Sequence, residues 1–152
     1  MGPGIVVKSL LKENFSLVVF GWSQIVIDLQ PLYSLVTGKG ELHGFSHTYI
    51  GATLLACICA LTGKYLGELG LRGIRLTTHL PITWTVAIAS AFIGTYSHVL
   101  LDSIMHYDVQ PFAPFSTSSI LYKIITVTTL HYFCIATALL GSVFYFYRYA
   151  KK

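Results

Sequence analysis

His43 and His47 stand four residues apart, and His98, Asp102 and His106 repeat the same spacing, in a chain otherwise dominated by apolar stretches. Residues four apart on a helix share a face, so each motif can aim its imidazoles and carboxylate at one point. Imidazole nitrogen and carboxylate oxygen are donors that hold zinc and related divalent ions. A catalytic zinc takes about three protein ligands and keeps a position for water, whose pKa it lowers toward neutrality. Asp28, His43, His47, His98 and Asp102 are therefore the candidate ligands of a divalent metal, zinc first, with manganese or iron as alternatives. His106 and Asp108 are candidates for a catalytic base, or for a group that orients a ligating histidine. With them the set suffices for two ions. His79 and His131 read as packing or interfacial residues. Ser46, Ser97 and Ser103 flank the motifs but form no nucleophile elbow, which argues against a serine hydrolase.

The elements that must position these groups are membrane helices. The chain has 152 residues, of which 11% are charged. A soluble domain carries about 25%. In 82–101 the one Asp, Glu, Lys, Arg or His is His98, and in 124–147 it is His131. About 20 apolar residues in helical form cross a bilayer core, so both stretches can span it. Ionisable side chains are costly there and need a partner, water or a function. The net charge of +4 comes from scattered basic residues beside apolar stretches, so nucleic acid is not expected as a partner. Membrane lipids are, with a lipid-like substrate; oligomeric state is left open. Cys57, Cys59 and Cys134 lie in apolar runs and read as small packing residues. The first residues match neither a cleaved signal nor a myristoylation pattern.

The expected fold is all-α: one polytopic four-helix transmembrane bundle over 1–152, with helices at about 15–30, 45–62, 80–105 and 120–149. Pro31 is expected to kink or end the first helix. Gly63, Gly67 and Gly70 are expected to punctuate the connection after the second. Glu13, Glu41 and Glu68 read as solvated. Ser90, Gly94 and His98 form a stripe of mostly small residues expected to face the bundle, whereas Val99 is expected to face lipid. Ala52, Ala56 and Ala60 form a similar stripe on the second helix. Lys8, Lys12, Lys64, Arg72, Arg75, Arg148, Lys151 and Lys152 flank one set of helix ends, against Lys39 and Lys123 at the other. The positive-inside rule then puts both termini in the cytoplasm. Asp28, His43, His47, His98, Asp102, His106 and Asp108 all fall at the outer ends, and the 107–119 segment is placed to cover them.

Three segments resemble a family of small prokaryotic inner-membrane proteins classed as predicted membrane-bound metal-dependent hydrolases. Ile27-Asp28-Leu29 is the counterpart of an acidic motif closing the first hydrophobic segment. Leu42-His43-Gly44-Phe45-Ser46-His47-Thr48 is similar to a two-histidine motif opening the next helix. Ser97-His98-Val99-Leu100-Leu101-Asp102-Ser103 resembles a His-x-Leu-Leu-Asp motif. This chain has one acid in the first motif where the family often has two, and no arginine in the second. The resemblance implies metal-dependent hydrolysis with ester chemistry; a lipid or lipid-linked ester or phosphoester is the expected substrate because it can reach a site at that depth by lateral diffusion. Two other classes stand beside it. A cation or proton channel or transporter predicts a polar path continuing to the cytoplasmic side. A structural membrane subunit predicts no bound metal.

Overall fold

The computed structural model describes residues 2–150, the side chains of 149 and 150 excepted. Among these residues the chain is helical and has no strand. Three helices are long and apolar enough to cross a membrane: Tyr49–Gly73, Trp84–Met105 and Val127–Arg148. The expected four-helix bundle is met only in part, because the remaining helices are shorter and differently arranged.

The first, α1, spans Gly2–Leu11, and a turn over Lys12–Asn14 leads into α2, Leu17–Ile27. Ser16 caps α2, its hydroxyl accepting from the Val19 N–H. The expected helix over 15–30 instead breaks at Asp28 and resumes as α3, Leu29–Thr37. Pro31 explains the position of the break. Its ring opposes the carbonyl four residues back, Ile27, and it has no N–H to bond there. In the first turn of a new helix that N–H is not needed. Asp28 is thereby held at the joint of two helices, and Gly38 ends α3 in a left-handed conformation.

The second spanning stretch, α4, Tyr49–Gly73, runs well past the expected end near residue 62. Gly63 and Gly67 are buried inside it. A methyl group on Gly63 would sit 3.0 Å from the Trp22 ring, and one on Gly67 3.2 Å from Val18. These glycines permit close helix packing, as small residues do between membrane helices. Glu68 is likewise not solvated. It pairs with Lys64 at 2.6 Å and accepts from the Ile82 N–H, tying α4 to the start of the next helix.

That helix, α5, covers Trp84–Met105, close to expectation, and Thr83 caps it. Ser90 and Gly94 face the bundle as expected: Ser90 Oγ accepts from the Ser16 N–H, and Gln24 donates to the Gly94 carbonyl. Val99 was expected to face lipid, but it is fully buried against Ile27 and Ala52. Both α2 and α4 pack on α5, so its buried arc is wider than one stripe.

The bundle's core is α2, α4 and α5. Bonded pairs Ser16–Ser90 and Gln24–His98 show α2 running parallel to α5. The last helix, α6, Val127–Ala150, packs chiefly on α1 rather than on α4 or α5. It starts later than the expected residue 120, because 119–126 are held in turns. Ser119 bonds back to the Tyr107 and Val109 carbonyls, and Lys123 N–H to that of Ile104. Basic residues concentrate at the end of the bundle away from Asp28; Lys151 and Lys152 lie outside the described residues.

Candidate metal centre

Asp28, His47, His98 and Asp102 meet at one end of the α2–α4–α5 core, each offering a donor atom within 4.8 Å of the others. His98 and Asp102 stand one turn apart on α5, with His98 Nε2 at 3.2 Å from Asp102 Oδ2 and 3.2 Å from Asp28 Oδ1. His47 comes from the short turn Phe45–His47 before α4. Its Nε2 lies 3.3 Å from Asp102 Oδ2 and 3.8 Å from Asp28 Oδ1.

The local fold over-determines His47. The Thr48 hydroxyl accepts from Gly51 N–H and donates to the Phe45 carbonyl, pinning the turn to α4. Gly51 is needed for this, because a Cβ there would lie 1.9 Å from the Phe45 carbonyl oxygen. Gln30 on α3 accepts from the Ser46 N–H, and Ser46 Oγ meets His47 Nδ1 at 2.9 Å.

His98 is oriented in the same manner. Gln24 donates its amide to the Gly94 carbonyl at 2.8 Å, which aims its Oε1 at His98 Nδ1, 3.3 Å away. With Nδ1–H so committed, a neutral His98 presents the Nε2 lone pair to two carboxylates. Such an arrangement needs a cation, either protons on the rings or a metal ion between them. His47 bears on which fits. Its side chain is 1% exposed, and its Nε2 makes no hydrogen bond despite the nearby carboxylates. With Nδ1–H donating to Ser46 Oγ, Nε2 carries a lone pair that faces two carboxylate oxygens, an arrangement that a metal ion at that point would satisfy. Two nitrogens and two oxygens form a donor set suited to zinc, manganese or iron.

His43, His106 and Asp108 form a second group beside the first. His43, Asp102 and His106 also offer donor atoms within 4.8 Å of one another. The His43 Nδ1–H donates to Asp108 Oδ2 at 2.8 Å, and the His43 and His106 rings stack at 4.5 Å. Partial burial, the largest single influence, pushes the Asp108 carboxyl up, but the hydrogen bond from His43, a backbone hydrogen bond and the charges of His43 and His106 together hold the group below the usual carboxylate range. All seven candidate residues thus gather at one end of the molecule. Of the other two histidines, His79 faces Glu13 at the opposite end, whereas His131, its Nδ1 at the Val127 carbonyl, lines a cavity shared with His98 and Asp102 without joining either donor group.

Two openings reach the groups. A cleft of about 780 Å³ beside His43 and Asp108 is walled by Leu42, Phe45, Tyr107 and Pro114. A smaller cavity of about 190 Å³ opens on His98 and Asp102 between α5 and α6, lined by Leu101, Leu130 and Cys134. The segment after α5 folds over this end. Val109 is fully buried, and the Pro111 carbonyl accepts from the Tyr49 N–H at 2.9 Å.

Gln24 and Gln30 are missing from the sequence-derived set. Their signal was present as polar residues on an otherwise apolar helix, but it read as weakness of that helix rather than as support for a site.

No curated protein and no solved structure matches the chain. The family model of the YdjM inner membrane protein matches residues 6–151. With nearly the whole length matched and three apolar helices able to span a bilayer, the chain is an integral membrane protein and belongs to the YdjM inner membrane protein family.

Proposed function

We propose that this protein is a membrane-bound metal-dependent hydrolase acting on a lipid or lipid-linked ester or phosphoester at the outer face of the inner membrane. The observation that carries the reading is the buried His47 Nε2, without a hydrogen bond, aimed among Asp28, His98 and Asp102. A divalent ion held by these four supplies Lewis acidity and lowers the pKa of a water. The chain's own part is to fix the donors. Gln24 sets the His98 ring, Ser46 meets His47 Nδ1, and Asp108 sets His43; such outer partners commonly contribute 10–100-fold in metal affinity.

The cavity between α5 and α6 opens at the depth of His98, so a lipid can present its polar end from the side. The larger cleft beside His43 suits a headgroup. Basic residues gathered at the opposite end support an outward-facing site. Between the two ends the buried layer of Val19, Ala56, Cys59, Ala60, Ala87 and Ala91 carries only the uncharged polar groups of Ser23, Ser90 and Thr95 beside it, which favours a hydrolase over a transport path.

The test is elemental analysis of the full chain purified in detergent without chelators. At least one divalent ion per chain is expected, lost in His98→Ala and Asp102→Ala with helicity retained. Hydrolysis of lipid esters or phosphoesters in mixed micelles should vanish in the same variants. A metal-free wild type would return the protein to the structural-subunit class.

A further inference from the structure

We infer that the centre takes a second divalent ion, bound by His43, Asp102 and His106, with Asp102 bridging the two positions. This rests on the reading of the first position given above. Asp102 is the one residue common to both donor groups. Its close contacts with His47 and His98 run through Oδ2, which leaves Oδ1 for a second ion. His43 is prepared as a ligand. Its Nδ1–H is spent on Asp108 Oδ2 at 2.8 Å, so the lone pair sits on Nε2. A carboxylate behind a histidine is the usual means of fixing such a tautomer. His106 follows directly on α5, its N–H bonded to the Asp102 carbonyl at 2.8 Å, and its ring stacks on His43. That bond places His106 and Asp102 one turn apart on the same side.

Charge selects the substrate. Three carboxylates, Asp28, Asp102 and Asp108, face the centre; Glu41 lines the neighbouring cleft but is exposed. With neutral imidazoles, one divalent ion leaves these groups net negative and two leave them net positive. The second state attracts an anionic phosphoester more strongly. Paired ions about 3.5–4 Å apart act in phosphatases and nucleases by clamping the attacking and leaving oxygens of phosphoryl transfer. The net positive charge of the two-ion centre favours an anionic phosphoester over a neutral ester, and the adjoining cleft is the room for the group that carries the phosphate.

The experiment uses the full chain in detergent, loaded with Mn²⁺ and desalted. Wild type should retain two ions per chain and give the exchange-coupled spectrum of a Mn²⁺ pair by electron paramagnetic resonance. His43→Gln and His106→Gln should each retain one ion with an uncoupled spectrum. Alanine variants at the same positions repeat the measurement should a glutamine variant fail to match wild type by circular dichroism and elution. One ion in wild type, unchanged in both variants, overturns the second position and leaves the first intact. Two ions that persist in both variants overturn the assignment of His43 and His106. No ion in wild type overturns both readings.

Discussion

His98 and His47 sit among carboxylates in ways that make their outer partners testable. Gln24 bonds to His98 Nδ1, the ring atom away from the carboxylates, and so acts by turning His98. Gln24→Leu removes the acceptor for His98 Nδ1–H, while the Gly94 carbonyl keeps the Ser97 hydroxyl as a donor. Affinity for a divalent ion should fall about 10–100-fold, measured by competition against a chelator, with the helical fold kept. Unchanged affinity would show that His98 is held by its packing alone. Gln30 acts at one remove further, through the backbone of the turn that carries His47.

The helices meet the site through glycines, and two of these separate packing from placement. A Cβ on Gly94 would lie 1.9 Å from Ser23 Oγ, inside the α2–α5 seam. Gly94→Leu should destabilise the bundle by about 1–3 kcal/mol or more through overpacking, read from thermal unfolding in detergent. Gly51→Ala meets the Phe45 carbonyl instead, so its expected effect is loss of bound metal through displacement of the His47 turn. Gly70→Ala is the control, since a Cβ there meets nothing within 4 Å and replaces glycine inside a helix. Equal behaviour of Gly94→Leu and Gly70→Ala would mean the α2–α5 seam yields freely. Equal metal retention in Gly51→Ala and wild type would show that the turn can move without losing His47.

Across the molecule, the distribution of charge and the gathering of His and Asp at one end make orientation a single question. The positive-inside asymmetry predicts cytoplasmic termini and, with them, an outward-facing segment after α5. Ser118 lies on its exposed part. In a variant lacking the three native cysteines, Ser118→Cys should react with a membrane-impermeant maleimide in intact spheroplasts. Labelling only after permeabilisation would turn the protein over and place the site on the cytoplasmic side. A phosphoester or ester drawn from the outer leaflet could then no longer be its substrate.

Helical class, membrane residence and the set of groups at the site were legible in the chain because each depends on local pattern. Apolar length marks α4, α5 and α6. Spacing of four puts His98 and Asp102 on one helix face whatever surrounds it. Pro31 announces a break, though its effect falls four residues earlier, at the carbonyl its ring opposes. Other features depend on what lies across the seam. Gly2, Pro3 and Gly4 are poor helix formers, yet α1 forms because it packs on α6, where a Cβ on Gly2 would meet the Cys134 carbonyl at 1.9 Å. Gly63 and Gly67 read as breakers but serve as packing surface. Val99 is apolar and equally suited to lipid or core, so its burial follows from the number of neighbours around α5. The same holds for Gln24 and Gln30. A polar side chain on an apolar helix has no meaning until its partner is known, and those partners, Gly94 with His98 and the Ser46 N–H, are distant in sequence and adjacent only in the fold.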